Sequence, residues 1–149
     1  MRVGLALRSA VMLAFLAAGA SWTGVAAADD ARASGGPPAA VRPCLEQRNG
    51  IGRPADPAAA RRCLRQVADD GEPAAMFLLA QMLGDGEGGA RDAAAERTWL
   101  EQAAERDYPE ALQALALAET DPVRADGLMR AAAHALAHRA HGMRAVQTK

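Results

Sequence analysis

The chain has 149 residues, enough for one domain, with 17 basic and 18 acidic residues, 3 histidines and 2 cysteines. Acids and bases are interleaved along the sequence, as on solvated helix surfaces, and nothing in it suggests nucleic-acid binding, which wants a concentrated basic face. Half of the residues are hydrophobic but only 3% are aromatic, so the core must come from alanine and leucine. That suits stacked helical hairpins more than a deep globular interior.

Residues 1–28 have the layout of a secretory signal peptide. Arg2 and Arg8 give a basic start, residues 10–20 are apolar and uncharged, and Ala26-Ala27-Ala28 precedes Asp29-Asp30. Cleavage is expected after Ala28. The apolar run falls short of the roughly 20 residues a membrane span needs. No cysteine stands at the new N-terminus to take a lipid, and Arg2 and Arg8 are not adjacent, so neither a lipoprotein nor a twin-arginine signal is indicated. The expected product is periplasmic or secreted, with no stable membrane anchor. Residues 1–28 hold two arginines and no acid, so the remainder carries 15 basic and 18 acidic residues, a formal charge of −3. Residues 29–36 are small and polar and read as a disordered leader.

From residue 37 to 142 the sequence repeats with a period of 36. Gly35-Gly-Pro-Pro-Ala39, Gly71-Glu-Pro-Ala-Ala75 and Asp107-Tyr-Pro-Glu-Ala111 align, as do Gly50 with Gly86, Gly52 with Gly88, Asp56 with Asp92, and Leu64 with Leu100. Each unit reads as helix, loop, helix, and such a period predicts an all-α, stacked solenoid of about three hairpins. In unit one, Pro38 and Pro43 leave only a short first helix, from about Pro43 to Asn49. Asp56-Pro57 then pairs an N-cap residue with a proline in the first turn, and that helix runs to about Asp69, with Gly71 as its stop. In unit two, Ala75, Leu79, Ala80 and Leu83 share one helical face. The loop Gly84-Asp-Gly-Glu-Gly-Gly89 cannot continue a helix, and Ala95/Trp99/Ala103 with Leu100/Ala104 stripe the second helix. Unit three runs from about Pro109 to Glu119, and Asp121-Pro122 repeats the Asp-Pro start. Its last helix is expected to stop at Gly142, before a tail over 143–149.

The pattern carried by Ala75, Leu79, Ala80, Leu83 and Gly86, then Asp92, Trp99, Leu100, Ala103 and Ala104, resembles the Sel1-like repeat. That family is a branch of the tetratricopeptide-type solenoids. The resemblance covers most of the chain after residue 37. It implies a scaffold that binds other proteins and implies no reaction.

Cys44 and Cys63 map by the 36-residue shift onto Ala80 and Trp99, facing positions of one hairpin, and lie almost symmetrically about a turn near Arg53. In an exported protein a disulfide is the default, and two free buried thiols are the alternative. The resemblance points the same way, because some secreted members of the family staple each hairpin with a disulfide.

His134, His138 and His141 are spaced i, i+4, i+7 and share a face on a continuous helix. Imidazoles at this spacing can hold zinc, copper or nickel, which makes a metal-binding or sensing protein the second functional reading. The competing reading is the polar outer face that a terminal repeat needs. Asp85, Glu87 and Asp92 do not have EF-hand spacing. The glycine-rich loop lacks the preceding strand and following lysine of a phosphate loop, and its acids would repel phosphate. No cofactor is indicated. A third reading, a cell-wall or β-lactam-directed enzyme, rests on resemblance alone. Ser34 is the sole serine after residue 28, no catalytic set assembles from these residues, and no catalytic residue is assigned.

The leading reading is therefore a non-enzymatic scaffold that binds another protein. Placing residues at 100° intervals puts Phe77 and Gln81 opposite the core face of their helix, together with Ala74. The 36-residue shift adds Val41 and Leu45 in unit one and Glu110, Gln113 and Leu117 in unit three. These seven residues, from Val41 to Leu117, are the expected partner-binding groove; the competing reading is that Phe77 packs against Tyr108 or a neighbouring loop.

Overall fold

The computed structural model describes residues 36–147, with side chains described for 36–141. The expected signal peptide and nearly all of the leader lie outside the described residues. Six helices follow in chain order: α1 (Arg42–Asn49), α2 (Pro57–Asp69), α3 (Pro73–Asp85), α4 (Ala93–Ala104), α5 (Pro109–Ala118) and α6 (Pro122–Gln147). There is no strand among the described residues. Each helix packs against its neighbours in the chain, α1 on α2, α2 on α3 and so on to α6. Nearest-neighbour packing of this kind makes three hairpins stacked in a row, an all-α solenoid.

Local chemistry starts the helices where the Asp and Pro residues stand. The Asp56 carboxylate accepts the Ala59 N–H at 2.9 Å and the Asp92 carboxylate accepts the Ala95 N–H at 2.9 Å, one repeat apart. Asp121 accepts the Val123 N–H at 2.9 Å at the start of α6. The period also appears in the backbone. Gly50 and Gly86 both have φ of 71°, Gly52 and Gly88 have 73° and 74°, and Gly71 and Asp107 have 95° and 54°. Left-handed residues at the same phase end the same helices in successive repeats.

The main core gathers Val41, Cys44, Leu64, Met76, Leu79, Met82 and Leu83 with small alanines from α2, α3, α4 and α5. A smaller cluster of Leu112, Ala132 and Ala135 joins α5 to α6. Helix α3 is central, and Ala74, Ala75, Met76, Leu79, Ala80, Met82 and Leu83 are all buried. A helix apolar on every side is one enclosed by its neighbours. Ala74, assigned by the helical wheel to the outward side, is therefore 2% exposed.

Two features of the third repeat differ from the second or from the sequence reading. Helix α6 does not stop at Gly142 but continues to Gln147. A glycine in a helix costs only about 1 kcal/mol against alanine, too little to end it without a left-handed cap. Met129, which falls on Leu100 when Asp121 is aligned with Asp92, is 46% exposed, whereas Leu100 is 7% exposed. Leu100 lies in the main core, beside which α4 packs on α5, and no described helix follows α6 to cover Met129.

Gly88 is where the second repeat meets the first. A Cβ built there would sit 2.3 Å from the Pro57 carbonyl oxygen, and its φ of 74° is itself unfavourable for any L-residue. Gly88→Ala should cost about 2 kcal/mol, read as a lower urea midpoint. Gly127→Ala, in open space on α6, should instead stabilise by up to about 1 kcal/mol.

Candidate functional site: the face of the first helices

The seven groove residues do not stand on one open face. Val41 is fully buried and belongs to the core, which corrects its assignment to the groove. The 36-residue shift placed it on Phe77, in mid-helix, but Val41 is the residue before α1. Its N–H donates to the Pro38 carbonyl at 3.1 Å and its own carbonyl accepts from Leu45. In that turn the helical wheel of α3 no longer applies, and the branched side chain fills the end of the first hairpin. Leu45 and Phe77 are partly buried and pack against the main core. Gln81 is exposed, Gln113 is half-exposed and Leu117 is 82% exposed.

Phe77 meets Tyr108, its ring centroid 5.6 Å away at an interplanar angle of 44°. The Arg139 guanidinium lies 5.2 Å from the Tyr108 ring centre and donates to both Glu110 carboxylate oxygens, at 2.7 and 2.9 Å. Glu110 is thus engaged from α6 rather than free in the groove. Phe77, Tyr108, Arg139 and Glu110 form a half-exposed chain of contacts linking α3, α5 and α6. Arg139 escaped the sequence reading: the period gives it no equivalent, so no pattern marked it.

This geometry perturbs titration. Hydrogen bonding from Arg139 holds the Glu110 carboxyl below the usual glutamate range, although burial opposes it. Burial raises the Tyr108 hydroxyl above its usual value, reinforced by the Glu110 charge. A carboxyl depressed in the native state contributes its stability above its unfolded pKa of about 4.3 and loses it as pH falls through the native value. The two side chains keep 39% and 36% of their exposure, so screening holds the pair to about 0.5 kcal/mol. Wild type and Glu110→Gln should therefore differ in urea midpoint near neutral pH at low salt and converge as pH falls through the depressed native value of Glu110.

Cys44 of α1 and Cys63 of α2 face each other across the first hairpin, their sulfurs 2.01 Å apart and their Cα atoms 5.5 Å apart, as a disulfide. Arg48 at the end of α1 grips Glu87 of the glycine-rich loop through contacts of 2.9, 2.9 and 2.5 Å. That pair ties repeat one to repeat two and removes Glu87 from any calcium set. On α6, His134 and His138 stand edge to face, with ring nitrogens 3.2 Å apart. His141 is turned away, its Nδ1 2.6 Å from the Ala137 carbonyl oxygen. Among the described residues no group of three or more histidine, cysteine or acidic side chains converges as a metal site. The triad expected from the i, i+4, i+7 spacing is a pair, because His141 is engaged with its own helix backbone. No described helix is long and apolar enough to cross a membrane.

No family model and no curated protein matches the sequence. Among solved structures the fold is similar to a Sel1 repeat protein from Oxalobacter formigenes, with a TM-score of 0.62 and 25% identity, over 64% of this chain and 42% of that one. The chain thus spans less than half the length of the protein it matches. Six helices paired as three hairpins, a 36-residue period in sequence and backbone, and this likeness show a Sel1-like repeat, tetratricopeptide-like α-solenoid fold.

Proposed function

We propose that this protein is an exported, non-enzymatic scaffold that binds a partner protein along the face of its first helices. Sel1-like repeats are typically protein–protein interaction modules, and the observation that carries the reading is the solenoid itself with a mixed face left open on it. Leu45, Phe77, Gln81, Gln113 and Leu117 contribute to that face, with the Tyr108 ring beside Phe77. Val41 and Glu110 drop out, the first to the core and the second to Arg139. A partly covered aromatic rimmed by polar side chains is a usual anchor for a docked segment. Export is supported by the expected signal peptide and by the disulfide.

The test is site-specific photo-crosslinking. A benzoyl-phenylalanine at Gln81 should trap a discrete higher-mass adduct in cells, whereas the same group at exposed Glu105 should not. Equal labelling at both positions, or none at Gln81, would refute the proposed face. Intact mass of the exported product should correspond to an N-terminus at Asp29, and a retained Met1 would refute export by cleavage.

A further inference from the structure

A second surface, away from the first-helix face, has a sharper chemistry. Helix α2 presents Ala58, Arg61, Arg62 and Arg65 at spacings of three, four and seven residues, on one side of the helix. The glycine-rich loop of the next repeat closes over that side. Between them lies a cleft of about 390 Å³, lined by these residues with Gly88, Gly89, Ala90, Arg91 and Asp92. Four of its nine lining residues are arginines and one is acidic. That acid is occupied, since Asp92 caps the Ala95 N–H.

The cleft exists because of the glycines. Gly88 touches the start of α2, and a Cβ on Gly89 would fall 2.7 Å from the Arg61 guanidinium. Arg61 reaches across to the Ala90 carbonyl at 3.0 Å and fixes the loop against the helix. Arg62, Arg65 and Arg91 are exposed. None of the four forms an ion pair among the described residues, whereas the hollow at the other end of the molecule has its charges matched by Arg97–Glu101 and Arg124–Glu119. The loop acid that would oppose an anion, Glu87, is held outside the cleft by Arg48. Arg65 also lies 6.0 Å from the centre of the half-buried Trp99 ring, which puts an apolar plate at the edge of the charge.

We propose that this arginine cleft binds an acidic peptide segment, with clustered aspartate or glutamate side chains, of the partner protein. Guanidinium groups pair bidentately with carboxylates, and four of them on two elements fit carboxylates strung along a chain better than one compact ion. A phosphate site would rather use converging backbone amides. Here the Gly86, Glu87 and Asp92 amides are already bonded to α3 carbonyls. The proposal rests on the scaffold reading but concerns a different surface, so the two fail separately.

The experiment is fluorescence anisotropy of a labelled oligo-aspartate peptide titrated with the full chain, beside an oligo-serine peptide and unlabelled inorganic pyrophosphate. Oligo-aspartate should bind, oligo-serine should not, and affinity should fall steeply with added salt. The triple variant Arg62→Ala, Arg65→Ala, Arg91→Ala keeps the Arg61–Ala90 contact and should bind about tenfold or more weakly with an unchanged circular-dichroism spectrum. Arg97→Ala with Arg106→Ala, which removes charge elsewhere, should bind as wild type. Should the triple variant unfold, Arg62→Glu alone, at an exposed position, must still weaken binding. The proposal is overturned if oligo-aspartate binds no better than oligo-serine, if the arginine substitutions leave its affinity unchanged, or if pyrophosphate alone occupies these arginines. Crosslinking at Gln81 reports on the scaffold reading independently of each of these results.

Discussion

Cys63→Ser should lower the melting temperature by about 10 °C or more under oxidising conditions. The bridge spans a sequence separation of 19 residues, for which chain entropy predicts about 3 kcal/mol. In a domain of this size each kcal/mol moves the midpoint by roughly 4 °C or more. The first hairpin has little else to rely on. Helix α1 is eight residues long, and its N-cap makes no side-chain hydrogen bond. It is otherwise held by Val41 and Leu45 against the core and by Arg48 on Glu87. Because neighbouring repeats stabilise one another, loosening the first should weaken the second as well. Differential scanning calorimetry with and without reductant is the measurement. Reduced wild type should melt near the variant, and an oxidised wild type that melts no higher than Cys63→Ser would show that the bridge contributes nothing.

Leu79→Ala should cost about 3 kcal/mol, the usual range for emptying a leucine-sized space in a core. Leu79 has no exposure and lies in the middle of α3, the helix enclosed by the rest. The surrounding interior is close-packed and relaxes only partly into the space left behind. Leu117→Ala is the matched control. The same chemistry at a position 82% exposed should change stability by less than about 0.5 kcal/mol. Urea denaturation of the two variants separates them directly, and comparable losses would mean that Leu117 is covered in solution.

Repeats, helices and caps were determined by sequence alone. Their signals are local: an Asp whose carboxylate reaches an amide three residues on, a proline in the first turn, a left-handed residue at the end. These act within one turn of helix, so the 36-residue alignment finds them again as Asp56 and Asp92, Gly50 and Gly86, Gly71 and Asp107. Which face of a helix is open was decided by the tertiary structure. Ala74 and Val41 lie opposite or beyond the apolar stripe, yet both are buried, because α3 has neighbours on every side and Val41 stands in the turn before α1. Glu110 reads as a free charge until Arg139, 29 residues away, arrives from α6. Met129 occupies a core phase that no described helix completes. The arginine cleft is the clearest instance. Arg61, Arg62 and Arg65 look like an ordinary solvated face, and the loop acids look hostile to an anion. Only packing the second repeat on the first closes the glycines over α2 and turns Glu87 outward onto Arg48. Periodicity records what each helix must bury, whereas the sign and shape of a surface depend on which distant side chains share it.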